Sequence, residues 1–132
     1  MSREEIYLEI EQTMGEVPGV FKKLSDRSLE IEYQTMKLMQ RRRTVIPQKY
    51  LEMIGLGIAA ARSSRYGVLW HREMAKAFGA TEAEIEEALY FTKGSSGWSA
   101  YLQGIDYDYD EFRKEIRRAA EYVRRQQLKV AA

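Results

Sequence analysis

The segment Pro47–Gly79, PQKYLEMIGLGIAAARSSRYGVLWHREMAKAFG, decides how the rest of the 132-residue chain is read. Between Leu51 and Ala61 it is apolar on every side except for one carboxylate, Glu52. A helix that is hydrophobic all round belongs in a core. Pro47 suits the first turn of such a helix, where its missing N–H costs nothing. Gly55 and Gly57 in the interior each cost about 1 kcal/mol against Ala. With Ala59, Ala60 and Ala61 they predict close approach of a neighbouring backbone. Ser63–Ser64–Arg65 marks a tight junction, and a second helix is expected from about Tyr66 to Phe78, with Gly79 as its left-handed terminator. That second helix carries the only histidine, His71, on the helically spaced stripe Val68, His71, Ala75 and Phe78.

Working outward, nearly everything reads as helix. Ser2 with Glu5 is a capping box that opens a short amphipathic helix to about Thr13. Gly15, Pro18 and Gly19 break it, and the turn VFKKL offers Phe21 and Leu24 as anchors. Ser25 or Asp26 can cap the next helix, where Leu29, Tyr33, Met36 and either Met39 or Gln40 follow the helical repeat up to the basic run Arg41–Arg43. Beyond Gly79, Thr81 with Glu84 forms another capping box. Gly94 and Gly97 are expected to loosen or kink that helix before Gly104. Asp108 with Glu111 can start the last helix, to about Gln127, with Phe112, Ile116, Ala119, Ala120 and Val123 as its stripe and a frayed tail LKVAA. The fold class is all-α, in one domain spanning residues 1–132.

Composition excludes several kinds of function. The chain has no cysteine, hence no disulfide, thiolate metal site or thiol nucleophile of its own. A single His rules out a His-rich metal site within one protomer. No apolar run reaches the roughly 18 residues of a membrane span, and the acidic, amphipathic start is neither a signal nor a transit peptide, so a cytoplasmic location is expected. Net charge is +1, although residues 111–132 hold seven basic groups against three acidic ones. Solvated helix faces account for this better than nucleic acid does, since no reading motif accompanies the charge. Nucleic-acid binding would need Arg117, Arg118, Arg124 and Arg125 to form one exposed stripe.

Glu52, Ser64, Gly67 and His71 have the spacing of a known motif. The arrangement resembles the carboxymuconolactone decarboxylase superfamily, which includes the alkylhydroperoxidase D-like proteins, with its pattern E-(x)11-C-x-x-C-x-x-x-H followed by G-A-T-x-x-E-I-x-E-A. Glu52 matches the acid, His71 the histidine, and Gly79-Ala80-Thr81 through Ala88 the second segment. The likeness covers roughly residues 45–105. It implies an alkylhydroperoxidase D-like helical bundle around a central antiparallel helix pair, assembled as a trimer or hexamer with the pocket near subunit contacts. Ser64 and Gly67 stand where redox members have cysteines, so thiol peroxidase activity is not expected. The decarboxylase branch works without that pair, which implies non-redox proton transfer on a small organic acid, with no metal or organic cofactor.

Each candidate residue has a functional role and a structural one. Glu52 and His71 could relay protons, because burial can push both groups toward neutral pKa values; alternatively His71 is a buried imidazole bonded to Glu52 or a backbone carbonyl, and Glu52 a first-turn acid favoured by the helix dipole and paired with a nearby Arg. Tyr66, between the two vacated thiol positions, could donate a phenolic proton or simply pack. Ser64 could contact substrate but suits a helix cap better. Arg62 or Arg65 could hold a carboxylate bidentately, or form surface ion pairs. Trp70 and Trp98 could line a pocket, or belong to core or interface. Trp98, Tyr107 and Tyr109 are candidates for burial between subunits. The alternative to an enzyme is a non-catalytic, ligand-binding or structural homo-oligomer.

Overall fold

The computed structural model describes residues 1–40 and 44–131; the Arg41–Arg43 run lies outside them. Among the described residues there are seven helices and no strands: α1 (Arg3–Met14), α2 (Gly19–Lys22), α3 (Asp26–Gln40), α4 (Gln48–Ala61), α5 (Arg65–Ala77), α6 (Glu82–Gly104) and α7 (Tyr109–Ala131). None of them is long and apolar enough to cross a membrane.

The helix ends follow local chemistry. Ser2 accepts from the Glu5 N–H while the Glu5 carboxylate accepts from the Ser2 N–H, and Thr81 with Glu84 does the same for α6. Ser25 caps α3 through the Ser28 N–H. Gly15 (φ 81°) and Gly79 (φ 97°) end α1 and α5 in the left-handed region, where a Cβ would be strained. Gly94 and Gly97 do not interrupt α6, which is one continuous helix through both. Glycine lowers helix propensity but keeps its N–H, so unlike proline it leaves the hydrogen-bond ladder intact. The C-terminal tail is likewise helical to Ala131 instead of frayed.

Two small cores form. Ile6 and Ile10 of α1 meet Leu29 and Tyr33 of α3, with Phe21 and Leu24 packed alongside. Arg3 seals this end, donating to Asp26 Oδ1 (2.7 Å), the Tyr7 hydroxyl (2.6 Å) and the Leu24 carbonyl (2.7 Å). The second core joins Leu56 of α4, Ala75 of α5, and Ala80 and Ile85 at the start of α6. Here α4 and α5 form an antiparallel hairpin whose helices touch at small residues. A Cβ on Gly67 would lie 2.7 Å from that of Ala59, and one on Gly57 would lie 2.7 Å from the Thr92 hydroxyl of α6. Lys49 of α4 adds an ion pair to Glu84 of α6 at 3.0 Å.

The all-round apolar character of α4 is only partly used within one chain. Leu56 and Ala59 are buried, but Ile54 and Ile58 are half exposed beside Phe91, along an open groove between α4 and α6. The chain exposes 10503 Å². A globular monomer of 15.4 kDa exposes roughly 7,200 Å². Helix α7, with no buried residue, contributes to this surplus.

Two outcomes follow from this packing. Gly67→Ala should lower stability in urea denaturation by a net ~1–2 kcal/mol, because overpacking against Ala59 exceeds the helix-propensity gain. Glu84 is held below the ordinary carboxylate range, first by the Thr81 N–H and then by Lys49. Its folded pKa therefore lies below its unfolded one. The stabilisation is complete above the unfolded value and is lost as pH falls through the folded value. A melting-temperature series from pH 6 to pH 3 should drop less steeply in Glu84→Gln, which keeps the cap but not the charge.

Candidate functional site

The hairpin contact builds the site. One helical turn after Glu52, Gly55 presents bare backbone to α5, and the His71 imidazole lies against it. A Cβ there would stand 2.6 Å from ring atoms Nδ1 and Cε1. Seated on this glycine, His71 Nδ1 reaches Glu52 Oε2 at 2.7 Å. The Glu52 side chain is 17% exposed and that of His71 32%. When the carboxylate is ionised it can only accept, and Nδ1–H is then the donor; when it is protonated it can donate to Nδ1. Nε2 has no partner among the described residues, yet no buried side-chain polar atom is left unsatisfied. Nε2 therefore opens to solvent.

On its other side Glu52 lines a cleft of about 590 Å³ between the end of α1, α3, α4 and α5. That volume suits a small-molecule site. Met14, Met36, Met39 and Met74 line it together with Trp70 and Phe78, and among the described residues Glu52 is its only ionisable liner. Such a wall is apolar and adaptable, because thioethers repack around different shapes. Gln48, one turn before Glu52, also lines the cleft and donates to the Met39 carbonyl at 2.6 Å, pinning α3 to α4. His71 is not among the cleft liners; it meets the cleft through Glu52.

Of the residues singled out from the sequence, the fold brings together Glu52, His71 and Trp70. Trp70 lines the cleft, with its ring edge-on to Phe21 at 6.4 Å. Tyr66 is 60% exposed and sits behind Trp70, ring centroids 6.4 Å apart. Ser64 is the N-cap of α5, its hydroxyl accepting from the Gly67 N–H at 3.1 Å. Arg62 and Arg65 are exposed at the hairpin tip. None of Ser64, Tyr66, Arg62 and Arg65 lines the cleft. Of the methionines only Met36 and Met39 were legible, as part of a helical stripe; the i, i+4 step from Gln48 to Glu52 is the one signal that could have linked Gln48 to the site. Among the described residues no group of three or more His, Cys, Asp or Glu could hold a metal.

The fold and this carboxylate–imidazole pair define a class. The chain belongs to the carboxymuconolactone decarboxylase family, whose profile matches residues 33–107, more than half its length. The match runs from mid-α3 to the loop before α7, and so contains the α4–α5 hairpin, Glu52 and His71. No curated protein and no solved structure matches the chain.

Gly55→Ala tests the seat beneath the imidazole. The helix should remain, since Ala is the better helix former, while the ring must leave Glu52. As the sole histidine, His71 gives one imidazole Hε1 signal in the proton NMR spectrum. That signal should move in Gly55→Ala as far as it moves in Glu52→Gln, with the backbone circular dichroism unchanged.

Proposed function

We propose that the protein catalyses non-redox proton transfer on a small organic acid, as a carboxy-lyase or an isomerase, with residues 1–132 working as one unit. The 2.7 Å contact between His71 Nδ1 and Glu52 Oε2, at the wall of an apolar cleft, carries this reading. Glu52 is the group that touches the substrate. In decarboxylation, CO2 leaves with the C–C bond electrons remaining on the adjacent carbon, and a proton from Glu52 quenches that carbanion. In isomerisation, Glu52 removes a proton from one carbon and returns it to another. His71 resets the carboxyl by exchanging protons with solvent through Nε2. Positioned general acids and bases of this kind contribute about 10²–10⁴-fold.

The other candidates take supporting roles in this reading. Trp70 holds the apolar body of the substrate and Tyr66 backs its ring. Arg62 and Arg65 attract an anion toward the hairpin tip, and Ser64 keeps α5 capped. No metal or organic cofactor takes part. With no cysteine in the chain, the thiol chemistry of redox relatives has no nucleophile here.

A second reading, a non-catalytic ligand-binding or structural homo-oligomer, is favoured by one observation. At the two vacated thiol positions, Ser64 serves as a cap and the space for a Gly67 side chain is taken by Ala59, so both positions now serve packing. A panel of small unsaturated carboxylic acids, followed in D2O by proton NMR for deuterium uptake and CO2 loss, separates the two. Turnover should fall at least about 10²-fold in Glu52→Gln and His71→Ala. Equal rates in wild type and His71→Ala would sink the catalytic proposal. Saturable binding without exchange or CO2 release would establish the second reading in its place.

A further inference from the structure

We propose that α7 is one half of an antiparallel two-helix seam, completed by α7 of a second copy of this chain. Phe112, Ile116, Ala119, Val123, Gln126 and Val130 recur at alternating steps of four and three, the heptad spacing of a helix that packs along one partner. Ile116, Val123 and Val130 share one heptad position. They are 49%, 54% and 85% exposed. No residue of α7 is buried, and α7 has no extended packing against any other helix. A 23-residue helix runs about 35 Å. Most helical stability in proteins comes from packing of an apolar face, and the stripe of α7 has no such cover within the chain. The family match ends at Tyr107, before α7 begins.

Charge selects the partner and its direction. Glu115 and Lys129 occupy the same flanking heptad position at opposite ends of α7. In an antiparallel pair each Glu115 faces the partner's Lys129, twice by symmetry, while Ala119 meets the partner's Val123. A parallel pair would instead set Glu115 beside Ala120 and bring the C-terminal cations Arg124, Arg125 and Lys129 of both copies to one end. Antiparallel pairing is also a closed two-fold contact, which completes itself without further subunits. The exposed area leaves room for a second copy as occupant: the chain shows 10503 Å², roughly 3,000 Å² beyond a globular monomer, more than the about 1,000–2,500 Å² that each partner contributes to an obligate homodimer interface.

Because the chain contains no cysteine, introduced thiols report only on this contact. Ala119→Cys and Val123→Cys should each stay uncrosslinked when made alone. Co-expressed and oxidised, they should give a disulfide-linked dimer. Crosslinking of either variant with itself would mean a parallel seam and overturn the proposal. So would a light-scattering mass of one protomer, or a wild-type multimer in which no combination crosslinks. A charge exchange supplies the second measurement. Glu115→Lys should weaken dimerisation roughly tenfold at low salt, and adding Lys129→Glu should restore it. Failure of the double variant to recover would count against the pairing equally.

Discussion

The close approach of α4 and α5 is the constraint on which the remaining structure depends. It exists because small residues meet where the helices touch: Gly67 against Ala59, and Gly55 against the His71 ring. Larger side chains would part the helices, and the imidazole would lose both its seat and its reach to Glu52. The same contact brings Leu56 and Ala75 into the second core, on which α6 packs through Ile85. Helix packing, core formation and the acid–imidazole pair thus share one cause.

That contact also explains how the chain can lack thiols and keep a site. Ser64 and Gly67 lie two turns and one turn from His71, toward the tip of the hairpin. There they cap α5 and let α4 come close. Glu52 and His71 lie deeper, beside a cleft walled by methionines, Trp70 and Phe78. Among the described residues, a carboxylate among thioethers and rings is the one ionisable group offered to a ligand, and the imidazole behind it reaches solvent. In the proposed function this pair moves protons and needs no redox partner.

Away from the hairpin, the structure is that of an incomplete body. Ile54, Ile58 and Phe91 line an open groove, Trp98 and Tyr109 are exposed, and α7 extends without burying a residue. Burial of apolar area is the main stabilising contribution to a fold, and this chain leaves an unusual share of it in water. The proposed α7 seam would cover part of it, and α4, which carries Glu52, also carries part of the uncovered surface.

The sequence alone determined the helices and most of their ends, because capping boxes at Ser2 and Thr81, left-handed glycines at 15 and 79, and apolar periodicity act within a few residues. It also indicated the hairpin and singled out Glu52 and His71, since their spacing resembles a family signature, but it left open whether the two side chains touch. What it misjudged were effects that depend on surroundings. Gly94 and Gly97 suggested a kink, but a helix whose hydrogen bonds are intact tolerates them. The apolar flanks of α4 suggested complete burial, which a single chain cannot supply. Only the tertiary structure decided that Met14, Met36, Met39 and Met74 converge from three helices beside Glu52. It alone placed Trp70 at that cleft and left Ser64, Arg62 and Arg65 outside it. Convergence depends on how helices distant in sequence cross, and periodicity within a helix carries no record of what lies opposite.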